Sequence, residues 1–119
     1  MIIAVDFDGT IVKPAWPEIG KLKFGAKWVL RWARNRGHKL ILWTCREHEG
    51  LAQADKFLWQ NNMGTWFRTY NRSLPETIAH FGNDSRKIGF DIQIDDKAGF
   101  IFWPFQFIRI LLAERKYGK

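Results

Sequence analysis

The chain has a single cysteine, Cys45, in 119 residues. That excludes an intramolecular disulfide framework and fits a reducing, cytoplasmic setting. Long apolar runs are missing as well. The opening run Ile2 to Val5 is too short for the apolar core of a secretory signal, and Asp6 interrupts it. The most apolar segment, "GFIFWPFQFIRILLAERKYG", is broken by Pro104, Gln106 and Arg109. It reads as a core helix rather than a membrane span, and no membrane partner is expected. Its aromatic excess also suits a homo-oligomer contact. There is no low-complexity tract and no internal repeat. Acidic residues are absent from Ile19 to Arg46, where Lys21, Lys23, Lys27, Arg31, Arg34, Arg36, Lys39 and Arg46 fall.

What is present is enough for one domain covering residues 1–119, with 46% apolar residues to build its core. The 19 basic and 12 acidic residues leave a net charge of +7. With the acid-free stretch, this charge points to an anionic partner or substrate, a nucleotide or nucleic acid among them. A solubilising surface explains the same charges equally well.

Apolar runs alternate with helical patterns. Ile2 to Val5 has no polar alternation, as in a strand buried on both faces of a parallel sheet. Residues 11–23, with Pro14 and Pro17, read as loop. Phe24 to Arg36 is helical, with Ala26, Val29, Leu30, Ala33, Trp28 and Trp32 on one arc and Lys27, Arg31 and Arg34 on another. Leu40 to Trp43 reads as a second strand, Glu49 to Asn61 as a helix and Thr65 to Tyr70 as a third strand. Ser73 is the expected cap of a short helix that closes at Gly82. Gly89 to Ile94 is a fourth strand, and a last helix starts at Pro104. The pattern predicts a three-layer α/β/α sandwich around a mostly parallel, Rossmann-like sheet. The seven tryptophans fall mainly on the apolar arcs and in strands, so core packing is their expected role.

Polar residues gather at the ends of the predicted strands: Asp6 and Asp8 after the first, Thr44 after the second, Asp95 and Asp96 after the fourth. Parallel sheets bind ligands at these ends. Carboxylates brought together repel unless a cation neutralises them, and an oxygen-only ligand set with no His or Cys suits Mg²⁺. Single aspartates are common as turn and cap residues. Two pairs at strand ends favour a metal site. Gly9 and Thr10 follow Asp8 in a turn whose amides and hydroxyl can cradle phosphate oxygens, and Thr44 offers a hydroxyl and an N–H. Lys87 can balance phosphate charge. Cys45 stands beside Thr44 among the candidate phosphate-binding positions. With no His placed beside it, its thiol reads as a buried structural group.

"IIAVDFDGTIV" resembles the first motif of the haloacid dehalogenase (HAD) superfamily, an apolar strand followed by Asp-x-Asp-Gly-Thr. "LILWTCRE" resembles the second motif, and "SRKIGFDIQIDDKAG" the third and fourth together. The four occur in family order across residues 2–97. The order differs from that of response-regulator receivers, where the lysine comes after the acidic residues. The resemblance implies a phosphatase, a hydrolase of phosphomonoesters, working through an aspartyl-phosphate. Asp6 would be the nucleophile, and Asp8 the general acid and then base. Asp6, the backbone carbonyl of Asp8, and Asp95 or Asp96 would hold Mg²⁺, while Thr44 and Lys87 would grip the phosphoryl oxygens. A phosphotransferase with an acceptor other than water, or a binding domain on the same scaffold, are the alternatives. Only 33 residues separate Thr10 from Thr44 and 42 separate Thr44 from Lys87, so no cap domain is expected. Residues 11–17, "IVKPAWP", are the candidate flap, with Trp16 able to stack on a substrate ring. A capless site and the basic stretch imply a bulky anionic substrate.

Overall fold

A computed structural model describes residues 1–82, 89–95 and 102–117. The unbroken apolar runs do become strands at the centre of a sheet. β1 (Ile2–Val5), β2 (Lys39–Leu42), β3 (Phe67–Tyr70) and β4 (Ile92–Ile94) form one four-stranded sheet in the order β3-β2-β1-β4. Every pairing is parallel. β1 sits between β2 and β4, with Ile3 opposite both Leu40 and Ile92. A central strand has no solvent face, which is why Ile3, Ala4 and Val5 are all fully buried.

The helices are α1 (Ala26–Asn35), α2 (His48–Gln60), α3 (Pro75–Phe81) and α4 (Trp103–Tyr117). Each lies within two residues of its expected span. α1 buries Ala26, Val29, Leu30 and Ala33, the i, i+3, i+4, i+7 stripe of an amphipathic helix. That stripe joins Ile3, Val5, Leu40 and Leu42 of the sheet, together with Leu58 of α2 and Ile110 of α4, in the main core. The alternate side chains serve the other face, where Ile41 meets Leu74. Leu74, not Ser73, is the cap residue of α3, and it makes no side-chain cap bond. The Ser73 hydroxyl instead accepts the N–H of Gly89 at 3.0 Å.

α4 is a core helix along one stripe only. Trp103, Gln106 and Ile110 are buried, whereas Phe105, Ile108 and Leu112 are exposed. Of the tryptophans, Trp66 and Trp103 are in the core, while Trp16, Trp28 and Trp59 are exposed, so core packing explains fewer of them than expected. Among the described residues no helix is long and apolar enough to cross a membrane.

α1 and α4 run side by side. Phe107 meets the rings of Trp28 and Trp32 edge-on at 4.5 Å each. Farther along, Arg36 grips Glu114 through two bonds of 2.8 and 2.6 Å. Glu114 Oε1 also lies 2.6 Å from Nε2 of buried His38, whose Nδ1 is 3.1 Å from the Met1 nitrogen. One carboxylate thus ties α4 to the end of α1 and the approach to β2.

Arg36 is the main cause that holds the Glu114 carboxyl down, to about 2 from an ordinary 4.5. Burial holds His38 below its ordinary 6.5, against the opposing pull of Glu114. In the unfolded chain both groups regain ordinary values. The Glu114 contribution is therefore complete above pH 4.5 and is lost as the pH falls toward 2. His38 acts in the same direction at higher pH, because below 6.5 the unfolded chain takes up the proton first. Glu114→Gln should lower stability at neutral pH by about 1–3 kcal/mol. Urea unfolding should show a shallower stability loss between pH 5 and 3 in the variant than in the wild type; equal slopes would refute the role of Glu114.

Candidate active site

The ends of the central strands carry the chemistry. The N–H of Asp6 donates to the carbonyl of Ile94 at 3.0 Å, which extends the β1–β4 ladder by one residue. Asp6 and Asp95 therefore leave neighbouring strands at the same rim. On the other side the Trp43 N–H donates to the Val5 carbonyl at 2.9 Å and brings Thr44 to that rim. A pocket of about 570 Å³ opens here, with Asp6, Asp8 and Asp95 as its acidic lining. Thr44 and Cys45 form another part of the wall, and Trp16, Trp43 and Gln93 complete it.

A tight turn aims Asp8. The N–H groups of Thr10, Ile11 and Val12 all point at the Phe7 carbonyl, at 3.2, 3.0 and 3.3 Å. Gly9 sits at φ 80 within this turn, a conformation that strains any residue with a Cβ. Thr10 is fully buried, its N–H is committed to Phe7, and its carbonyl accepts the Trp103 indole N–H at 2.8 Å. Gly9 and Thr10 build the turn and are not among the pocket-lining residues.

Asp8 is held by a residue first read as part of the basic stretch. Arg46 Nε and Nη2 donate to the two Asp8 oxygens at 2.7 and 2.8 Å, a bidentate pair. Nη2 also donates to the Glu18 carbonyl at 3.0 Å. The guanidinium lies 5.6 Å from the Phe7 ring and 4.8 Å from the Trp16 ring. Arg46 keeps only 1% of its surface exposed. Its Nη1 is buried and has no hydrogen-bond partner among the described residues. Lys27, Arg31 and Arg34, the basic arc of α1 within the same stretch, do not line the pocket.

Thr44 is arranged differently from expectation. Its N–H is taken by Asn71 Oδ1 at 2.7 Å, and its Oγ1 accepts the Arg46 N–H at 3.1 Å. The hydroxyl proton is what Thr44 has left to offer a ligand. Cys45 is exposed on the pocket wall and not buried, because it lies beyond the strand in the turn that Asn71 braces. Asp95 accepts the Gln93 side-chain N–H at 3.1 Å. The remaining expected residues, Lys87 and Asp96, lie outside the described residues.

Among the described residues no group of three or more His, Cys, Asp or Glu side chains is gathered to hold a metal ion. The Asp8 carboxylate is diverted to Arg46, so only its backbone carbonyl remains as the expected ligand. That leaves the carboxylates of Asp6 and Asp95. One or two carboxylates plus waters is the ordinary protein share for Mg²⁺, so the residues fit such an ion.

Arg46, Asn71, Trp43 and Gln93 were not singled out as site residues by sequence reasoning. Arg46 and Asn71 had a usable signal: one stands two residues after the strand-end threonine, and the other is the first residue after β3. Gln93 and Trp43 lie within or beside a strand and gave none.

The fold and this rim define a parallel α/β domain with an acidic pocket at the carboxyl ends of its strands. A solved structure from Bacteroides thetaiotaomicron, described as a conserved protein, matches it with a TM-score of 0.79. The two are 38% identical, over 94% of this chain and 90% of that one. The chain belongs to the family of that protein. No family model and no curated protein matches it.

Arg46→Met should remove the partner of Asp8 and free the loop at Glu18. Breaking a buried ion pair from one side costs about 3–5 kcal/mol, and the lower end applies because Asp8 is partly solvated. Equilibrium urea unfolding checks this, and a change below about 1 kcal/mol would show that the pair contributes little. Arg46→Lys should restore only part of the loss, since an ammonium cannot reproduce the two-pronged contact.

Proposed function

We propose that the chain is a small, capless, HAD-like phosphatase that hydrolyses phosphomonoesters with Mg²⁺ through an aspartyl-phosphate on Asp6. This reading takes the fold in its finer form, a three-layer sandwich of the HAD type. One observation carries it: the strand-end residues expected from the first, second and fourth motifs, Asp6, Asp8, Thr44 and Asp95, line a single pocket. The 33 residues between Thr10 and Thr44 form a loop, α1 and β2, which supports the capless reading.

Asp6 and Asp95 would hold Mg²⁺ with the backbone carbonyl of Asp8. The ion would offset the charge of three carboxylates and an incoming phosphate, which otherwise repel. Asp6 attacks phosphorus from the side opposite the leaving oxygen, and the phosphorus–oxygen bond to the leaving group breaks. Asp8 gives that oxygen a proton. Water then attacks the phosphorus of the acyl phosphate, Asp8 takes up its proton, and inorganic phosphate departs with Asp6 restored. Thr44 donates its hydroxyl to a phosphoryl oxygen. Both Asp8 oxygens accept from Arg46, so proton delivery requires Asp8 to turn away from Arg46 as substrate binds and to take up a proton from water or from the acidic O–H of the incoming phosphomonoester.

Hydrolysis of an aryl phosphate should depend on added Mg²⁺ and should fall below detection in Asp6→Asn. Asp8→Asn should cost about 10²–10⁴ in kcat, with the larger losses on alkyl phosphates, whose leaving groups need the proton more. Activity that survives Asp6→Asn would sink the covalent mechanism.

A further inference from the structure

We propose that Trp16 is a fixed stacking platform, so that the site takes phosphomonoesters whose leaving group carries a flat ring, with nucleoside monophosphates as the fitting class. This rests on the phosphatase reading above and names its substrate.

The ring of Trp16 is 65% exposed, yet it is held. One face lies against the Arg46 guanidinium, 4.8 Å from its carbon. That guanidinium is buried beside Phe7 and bonded to the Glu18 carbonyl, a contact that does not depend on Asp8. The Arg46 guanidinium thus lies near both aromatic rings, and Trp16 is part of the pocket wall. A solitary exposed tryptophan is ordinary on a protein surface. One that packs on an enclosed guanidinium and lines a carboxylate pocket is a prepared surface for another ring.

The loop that carries Trp16 is a closed frame. Val12 bridges Leu22 in antiparallel fashion, and the Lys13 N–H donates to the Lys21 carbonyl at 2.8 Å. A Cβ on Gly20 would lie 2.0 Å from the Lys13 carbonyl oxygen, so the frame closes only with glycine there. Holding the ring in place beforehand lowers the ordering cost of binding. The pocket volume of about 570 Å³ is that of a small-ligand site. It suits a mononucleotide, one of the anionic substrates to which the basic stretch points.

The rival explanation is that Trp16 only shields the Arg46–Asp8 pair from water. Shielding would affect every substrate alike, whereas stacking acts on ring-bearing ones. The test measures binding to the wild-type protein with Mg²⁺, by calorimetry, of a non-hydrolysable adenosine phosphonate and of an alkyl phosphonate. The wild type should prefer the adenosine compound. Trp16→Leu should cut that preference about 5- to 100-fold, the range for loss of one base stack, and Trp16→Phe should recover most of it. No preference in the wild type, or a preference unchanged in Trp16→Leu, would overturn the platform. Turnover of the corresponding phosphates separates the two readings. Trp16-dependent binding without hydrolysis leaves the platform and removes the phosphatase. Hydrolysis of both esters with no dependence on Trp16 does the reverse.

Discussion

The ion pair between Arg46 and Asp8 is the contact on which the pocket depends. A guanidinium with 1% of its surface exposed has lost its water, and that loss is offset only by well-placed partners. Asp8 supplies two of them, the Glu18 carbonyl a third, and the rings of Phe7 and Trp16 enclose it. The pair joins parts of the chain that are distant in sequence. It links the turn after β1, the loop after β2 and the frame around Trp16. Among the described residues Nη1 of the enclosed guanidinium has no partner.

The same pair divides labour among the acidic residues. Asp6 and Asp95 project from adjacent parallel strands, joined by the Asp6 N–H bond to Ile94. Asp8, past the tight turn on the Phe7 carbonyl, is drawn aside by Arg46. In the proposed reaction this separation gives the first two to metal and nucleophilic work and keeps the third for proton transfer. The second strand end is settled in a comparable way. Asn71 and the Arg46 amide use up the Thr44 N–H and one hydroxyl lone pair, which orients the remaining O–H donor.

Support for the rim comes from the layer beneath it. The Trp103 indole bonds to the Thr10 carbonyl and so fixes α4 against the turn that aims Asp8. At the far end of α4, Glu114 gathers Arg36 and His38. α4 is thus pinned at both ends to the segments that flank β1 and β2. Its outer stripe, with Phe105, Ile108 and Leu112, takes no part in that support and is exposed.

The order of strands and helices was legible because each element is short and strongly patterned. Ile2 to Val5 has no polar interruption, and the α1 stripe repeats at helical spacing. The strand ends that carry Asp6, Asp8, Thr44 and Asp95 followed from that order, since a parallel sheet brings its carboxyl ends to one edge. What the sequence left undecided is how backbone donors and charged side chains pair across long separations. The Thr10 N–H, offered by the sequence as part of a phosphate cradle, is spent on the Phe7 carbonyl. Arg46 read as part of a basic stretch, either a solubilising surface or an anion-binding patch, but it is enclosed by residues 28 to 39 positions earlier in the chain. Cys45 read as buried, but it lies past the end of its strand. Local pattern determined which residues reach the rim. Tertiary structure decided which of them remain open to a ligand, because a hydrogen-bond donor or a charge goes to whatever partner the fold brings within reach.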